Sequence, residues 1–318
     1  MKVVVTGRIP ELAVEQLRAV HEVDAWSSAE SIGRDELLSR VAGADALLTL
    51  LTERVDAELL DAAGPQLKVV ANVAVGYDNV DVSACRERGI IATNTPGVLT
   101  EATADIAFAL ILMATRRTGE GERVIRSAQP WKWGMFYLLG MGLQGKTLGV
   151  VGMGGIGQAT ARRARAFGMD VIYRSRSELA PEIATELGAR RVELDELLST
   201  SDVVSLHCPY SPATHHLIGA EQFAAMKETA YLVNTARGPI VDEAALVDAL
   251  RDGQIAGAGL DVYEREPLVH AGLRELDNVA LLPHLGSATI ETRTAMATLA
   301  ADNALAVLAG EQPPTPIR

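Results

Sequence analysis

Cysteine, aromatic residues, positive charge and long hydrophobic runs are all scarce in this sequence, and each scarcity excludes something. Cys85 and Cys208 are the only cysteines, far apart and without a CxxC pair. That rules out a disulfide framework and fits a reducing cytosol, so a cytoplasmic location is expected, with both thiols acting as small hydrophobes. Lys and Arg total 29 against 41 Asp and Glu, a net charge of −12. A nucleic-acid partner needs clustered cations, and none is expected here. The longest apolar segment, "ADIAFALILMA", is interrupted by Asp105 and bounded by Arg116 and Arg117, so no membrane span is expected. The opening "MKVVVTGRIPEL" reads as a first strand, too short for a signal peptide. HExxH and Cys/His clusters are absent, so no metal is expected.

What is present is a regular alternation. The chain has 318 residues, too many for one ordinary core, so two domains are expected. Ten short apolar runs read as strands buried on both faces: "KVVVTG", "ADALLTL", "LKVVANVAVG", "GIIATN", "TLGVVGMG", "DVIYRS", "DVVSLHCP", "AYLVNTA", "IAGAGLDV" and "NVALLPH". Amphipathic segments such as "EAALVDALRDG" separate most of them, which predicts parallel α/β architecture. Near residue 100 the pattern changes. "TEATADIAFALILMATRR" has acids at its start, arginines at its end and an apolar body, as expected of a buried helix serving as a hinge or subunit interface. The following "SAQPWKWGMFYLLGMGLQG" holds two of the three tryptophans and reads as a surface excursion. It either covers a hydrophobic patch or turns a tryptophan towards substrate or partner.

"KTLGVVGMGGIGQATARRARAFGMDVIYRS" has the parts of a nucleotide-binding βαβ unit. Gly152 permits the tight turn, Gly154 lets the backbone approach a pyrophosphate, and Gly157 lets the helix pack on the strand. An acid normally ends the second strand, where it binds the adenosine ribose hydroxyls and repels a 2′-phosphate. Here Ser175 and Arg176 stand in that place, with Arg174 beside them. Removing the repulsion and adding guanidinium groups predicts NADP(H) as the preferred cofactor, with NAD(H) second.

Ligands of open parallel sheets bind beyond the carboxyl ends of the strands. Those ends carry His207, Arg237, Asp261 and His284, with Glu266 on the loop after one of them. An arginine, an acid and a histidine suit hydride chemistry on a 2-oxo acid. The arginine clamps the carboxylate and polarises the carbonyl, the histidine donates the proton, and a carboxylate beside it favours its charged form.

"GMGGIG", "NTARGPIVDEAAL", "GAGLDVYEREP" and "LLPHLGSAT" together resemble the D-isomer-specific 2-hydroxyacid dehydrogenases. "YRSRS", "NVAVGYDNVD" and "PHLGSAT" are most similar to the glyoxylate/hydroxypyruvate reductases of that family. The resemblance implies two Rossmann-like or flavodoxin-like parallel-sheet domains with an active-site cleft between them. Residues 1–99 and 287–318 would form the substrate domain and 100–286 the NAD(P)-binding domain, with cleft closure excluding water. It also implies Arg237, Glu266 and His284 as the catalytic set. Val75 and Gly76, with Leu51, Arg237 and Ser287, would surround the substrate, and Trp133 would reach a neighbouring subunit's site in a homodimer. For the cofactor it implies Gly152, Gly154, Gly155, Ile156 and Gly157 at the phosphates. Arg174, Ser175 and Arg176 would meet the ribose, and Thr103, His207, Cys208, Pro209, Thr214, Thr235, Ala236, Asp261, His284 and Gly286 would line the groove, with Asp261 holding the carboxamide.

The favoured activity is NADPH-dependent reduction of glyoxylate to glycolate and hydroxypyruvate to D-glycerate. One rival is the same chemistry on another small 2-keto/2-hydroxy acid, a phosphoglycerate or a 2-ketoaldonate. The other is a cofactor-sensing binding protein, like the transcriptional corepressors that share this fold.

Overall fold

The computed structural model describes residues 1–128 and 130–317. The chain divides into two compact units, Met1–Leu99 with Ser287–Arg318, and Thr100–Gly286.

The first unit runs β1 (Lys2–Val5), α1 (Glu11–Arg18), β2 (Glu22–Ala25), α2 (Arg34–Val41), β3 (Ala46–Thr49), α3 (Ala57–Ala63), β4 (Val69–Asn72), α4 (Val82–Glu87) and β5 (Ile91–Thr93). Its five strands are parallel, in the order β2-β1-β3-β4-β5. Central strands such as "ALLT" and "VVAN" are apolar at successive positions because helices cover both faces of the sheet. One face packs on Leu37, Leu59, Leu60 and Cys85 of α2–α4. The other packs on Ala13 and Leu17 of α1 and on Ala297, Ala300, Ala301 and Ala304 of a helix at Ile290–Leu308.

The second unit opens with α5 (Thr100–Thr115) and α6 (Thr118–Arg126). It continues β6 (Thr147–Val151), α7 (Gly155–Ala166), β7 (Asp170–Arg174), α8 (Pro181–Leu187), β8 (Ala189–Arg191), α9 (Leu194–Thr200) and β9 (Val203–Leu206). Then come α10 (Ala220–Ala225), β10 (Tyr231–Asn234), a 3₁₀ turn (Gly238–Ile240), α11 (Glu243–Arg251), β11 (Gly257–Leu260), α12 (Ala271–Arg274) and β12 (Val279–Leu281). The helix at Ile290–Leu308, α13, returns to the first unit. Seven parallel strands lie in the order β12-β11-β10-β9-β6-β7-β8. The order reverses at β6, which has β7 on one side and β9 on the other. The loop after β6 therefore occupies the switch point where such sheets bind ligands.

All ten expected strands are present. The two additional ones, β2 and β8, are sheet edges reading "EVDA" and "ARR", with no fully buried residue. Both are short and carry charged residues (Glu22 and Asp24, Arg190 and Arg191), so neither leaves a hydrophobic run to read. The apolar helix α5 is buried as expected, and it lies on α7, β10 and β11 within its own unit. Residues 130–146, after α6, contain no helix or strand, as the aromatic segment predicts; Gln129, in the same segment, lies outside the described residues. Among the described residues no helix is long and apolar enough to cross a membrane.

Candidate active site

The switch-point loop is built for close approach. Gly152 has φ +98°, and a Cβ there would lie 2.4 Å from the Cys208 N atom. The β6 turn and the "HCP" turn after β9 thus touch backbone to backbone. Gly154 precedes α7 with open space on its Cα and no side-chain cap, leaving the first N–H groups of α7, Gly155 and Ile156 onward, exposed as an anion site. Gly157 sits against the Gly152 carbonyl, where a Cβ would be 2.3 Å away. Two buried polar atoms nearby in the fold have no protein partner, Thr235 Oγ1 and His207 Nδ1. An uncapped helix start and orphaned buried polar atoms suit a dinucleotide.

Around them, His207 Nε2 is 2.8 Å from Ser205 Oγ, and burial pushes the imidazole down to about 4. Cys208 is half-buried with its thiol pushed up to about 11 by burial, as is that of buried Cys85, so neither is an activated nucleophile. Thr214 Oγ1 donates to the exposed Pro209 carbonyl (2.9 Å), which folds the turn after β9. The Ala236 N–H donates to Asn234 Oδ1 at 3.0 Å.

At the end of β7 the three expected ribose residues behave differently. Arg176 is exposed, and no hydrogen bond or ion pair engages its side chain among the described residues. Arg174, the last residue of β7, pairs instead with Glu193 (3.2 Å) and donates to the Ser175 carbonyl (3.0 Å), so it braces the turn. A residue the sequence reading missed, Arg191 of β8, also donates to the Ser175 carbonyl (3.0 Å). Its signal was weak, because β8 itself was not legible.

The catalytic candidates come together. His284 Nδ1 lies 2.8 Å from Glu266 Oε2, which assigns the Nδ1 proton to this bond and turns Nε2 outward. The other carboxylate oxygen of Glu266 accepts the Tyr263 N–H at 3.0 Å. Burial pushes the Glu266 carboxyl up, but the His284 hydrogen bond and charge, the Tyr263 N–H and the Arg237 charge outweigh it and hold the group below its ordinary range. Arg237, on the turn after β10, donates from Nη1 to the Ala236 carbonyl (2.8 Å). His284 itself has φ +55°, a conformation non-glycine residues avoid.

Asp261 explains how that conformation is held. Its carboxylate oxygens accept the N–H groups of Leu285 (2.6 Å) and Gly286 (2.7 Å), while its carbonyl accepts the His284 N–H (2.9 Å). Burial raises this carboxyl despite those bonds. Thr103 of α5 donates to the Gly286 carbonyl at 3.1 Å. The observed work of Asp261 and Thr103 is therefore to fix the loop that carries His284, and the Asp261 oxygens keep lone pairs beyond those two N–H groups.

Of the substrate candidates, Leu51, Val75, Gly76 and Ser287 belong to the first unit, where Leu51 and the Val75–Gly76 turn follow β3 and β4. Trp133 is in the second unit, 77% exposed on the irregular segment after α6. Residues that went unread include Asn234, whose Nδ2 donates to the Arg237 carbonyl (2.9 Å), and Gly238, where a Cβ would lie 1.8 Å from the Tyr263 carbonyl carbon. Tyr263 O–H donates to the Leu282 carbonyl at 2.8 Å. A second imidazole–carboxylate contact joins His216 Nε2 to Glu264 Oε1 at 2.7 Å.

A Rossmann-type sheet with a glycine turn at its switch point, and a carboxylate-backed imidazole and an arginine on the loops after its strands, defines a nicotinamide-dependent oxidoreductase. The chain belongs to the D-isomer specific 2-hydroxyacid dehydrogenases: residues 108–286 match the NAD binding domain of that family. It is 51% identical to the glyoxylate reductase of Thermococcus onnurineus, over 99% of this chain and 95% of that one. A crystal structure of a Thermus thermophilus protein, 48% identical, superposes with a TM-score of 0.93 over the whole of both chains. The NADPH-dependent glyoxylate/hydroxypyruvate reductase of Sinorhizobium meliloti, solved with NADP and malonate, is 36% identical with a TM-score of 0.87 over 99% of this chain and 96% of that one. The protein is an NAD(P)-dependent oxidoreductase acting on 2-hydroxy acids.

Proposed function

We propose that the protein is an NADPH-preferring reductase of glyoxylate and hydroxypyruvate. The observation that carries the reading is the end of β7, where Ser175 and an unengaged, exposed Arg176 stand in place of an acid. The relatives named glyoxylate reductase support the substrate class, and the Sinorhizobium enzyme supports both the cofactor and the second substrate.

In this reading Thr100–Gly286 binds the dinucleotide and Met1–Leu99 with Ser287–Arg318 binds the substrate carboxylate. A bound reduced nicotinamide supplies the hydride. The Arg237 guanidinium draws electron density from the keto oxygen, and His284 Nε2 delivers a proton to that oxygen. Glu266 fixes the ring through Nδ1 and stabilises its charged form. The amides of Val75 and Gly76 take the carboxylate, with Leu51 and Ser287 beside it.

The partner is a second copy of the chain. Ile125, Trp131, Trp133, Met135, Phe136 and Leu139 are each at least half exposed on one short stretch, an apolar surface that a homodimer would cover. Trp133 then adds to the partner's pocket. Two free thiols fit the cytoplasm.

Steady-state oxidation of NADPH and NADH with glyoxylate, hydroxypyruvate and larger 2-keto acids tests the reading, alongside Ser175→Asp. NADPH preference that inverts in Ser175→Asp is the expected result. Preference for NADH in the unmodified protein would overturn the cofactor assignment, and cofactor binding without turnover would favour a sensor.

A further inference from the structure

Two carbonyls of the turn after β4 are held by asparagine side chains, one at the end of β4 and one just past β5. Asn94 Nδ2 donates to the Val75 carbonyl at 2.8 Å, and Asn72 Nδ2 donates to the Gly76 carbonyl at 3.0 Å. A trans peptide is planar, with its C=O and the following N–H pointing in opposite directions. Fixing the Val75 oxygen therefore aims the Gly76 N–H away from Asn94, and fixing the Gly76 oxygen aims the Tyr77 N–H away from Asn72. Among the described residues, no hydrogen bond uses the N–H of Val75, Gly76 or Tyr77.

We infer that Asn72 and Asn94 are positioning residues that set these peptide planes as an anion seat for the substrate carboxylate. The inference rests on the reading that this turn takes the carboxylate, and it names what shapes it.

Both amides are themselves anchored. Asn72 is fully buried at the end of β4, and its Oδ1 accepts from Thr49 Oγ1 at 3.1 Å, which fixes which end of the amide faces Gly76. It also exchanges hydrogen bonds with Asn79 (3.2 and 3.3 Å), whose Nδ2 donates to the carbonyls of Leu50 and Glu53, each at 3.0 Å. The same pair thus ties the Val75 turn to the loop carrying Leu51. Asn94 is secured from the chain's far end. Thr315 Oγ1 donates to the Asn94 carbonyl at 2.6 Å, and Thr315 is gripped by buried Asn303 of α13 (2.8 and 2.9 Å). The Thr95 N–H donates to the Ala74 carbonyl at 2.8 Å, closing the base of the turn.

The chemistry favours an amide at both positions. A carbonyl that accepts a hydrogen bond polarises its own peptide, making the N–H on the far side a better donor. A neutral donor achieves this without placing a charge of its own behind the seat. An aspartate of the same shape would lose the donor, repel the carbonyl and set a negative charge behind an anion.

The test uses the intact enzyme with NADP(H). Hydrogen exchange of the segment 73–79 is measured with and without oxamate, a non-reducible carboxylate, and kcat and KM for glyoxylate are measured in the same proteins. In the unmodified enzyme oxamate should slow exchange of that segment. In Asn94→Ala and Asn72→Ala the KM for glyoxylate should rise about tenfold, corresponding to roughly 1.4 kcal/mol, with kcat within about twofold, the KM for NADPH unchanged and the oxamate protection weakened. Asn94→Asp keeps the side-chain shape at a half-buried position and should raise KM further. Absence of oxamate protection in the unmodified enzyme would overturn the carboxylate reading of the turn. Protection there, with Asn94→Asp retaining both the original KM and the protection, would overturn the positioning role alone. So would parallel loss of kcat, NADPH affinity and thermal stability.

Discussion

Glu266 and His284 are joined by a single 2.8 Å bond from Oε2 to Nδ1, so the acid's second oxygen is left to the Tyr263 N–H and the ring's Nε2 stays outside the pair. Replacing His284 by Ala removes the proton donor and should lower kcat by about 10²–10⁴. Glu266→Gln keeps the shape and loses the charge, with an expected drop of about tenfold to a hundredfold. Rapid-mixing turnover with saturating NADPH and glyoxylate checks both.

The same acid predicts a pH effect on stability. Its carboxyl is held below the ordinary value of 4.5, with burial outweighed by His284, the Tyr263 N–H and Arg237. The unfolded chain therefore takes up this proton first as the solution is acidified. The contribution is complete above the unfolded value and disappears as pH falls through the folded one. The Tm gap between the unmodified protein and Glu266→Gln should be largest near neutrality and narrow as pH falls below 4.5.

His207 has the opposite charge type and loses stability in a different window. Its ring is pushed from 6.5 to about 4 by burial. Above 6.5 neither folded nor unfolded protein binds the proton, and stability is full. Between 6.5 and about 4 only the unfolded chain binds it, at a cost reaching about 3 kcal/mol, and below that the loss levels off. In the cofactor-free protein, His207→Asn should flatten the fall in Tm from pH 7 to pH 4. An unchanged slope would contradict the burial.

Arg237→Lys should behave as a severe change. A guanidinium presents a planar fork to a carboxylate and a keto oxygen together, which an ammonium cannot reproduce. The expected effect is about a tenfold to hundredfold loss in kcat/KM for glyoxylate with NADPH binding intact, read by steady-state kinetics and cofactor fluorescence titration.

Gly238→Ala tests the neighbouring backbone. The added methyl would sit 1.8 Å from the Tyr263 carbonyl carbon and 2.0 Å from its oxygen, both main-chain atoms. The turn bearing Arg237 and the segment leading to Glu266 would have to separate. A destabilisation of about 2–4 kcal/mol with loss of activity is expected in denaturant titration.

The parts legible in sequence were those whose physics is local. The glycine turn and Arg237, Glu266 and His284 follow apolar strand runs, and strand ends locate themselves once the runs are seen. Edge strands β2 and β8 were silent because they are short and partly charged, reading "EVDA" and "ARR". The supporting residues were silent for another reason. Asn94 reaches the Val75 carbonyl from nineteen residues away, and although Asn72 is only four residues from Gly76, no spacing rule announces that a strand-end amide turns back onto a carbonyl of the following turn. Asp261 is expected as a ligand contact, and its second task was not legible: its oxygens accept the Leu285 and Gly286 N–H groups that the left-handed turn at His284 presents to it.

The discontinuity of the first unit has a consequence during synthesis. Ala297, Ala300, Ala301 and Ala304 of α13 cover the face of β1, β3 and β4 that no earlier helix except α1 protects. A ribosome delivers that cover only after the whole intervening Thr100–Gly286 segment has emerged. The inserted body is thus free to complete its folding first, while the amino-terminal sheet waits with one apolar flank covered by α1 alone and open to aggregation or chaperone capture.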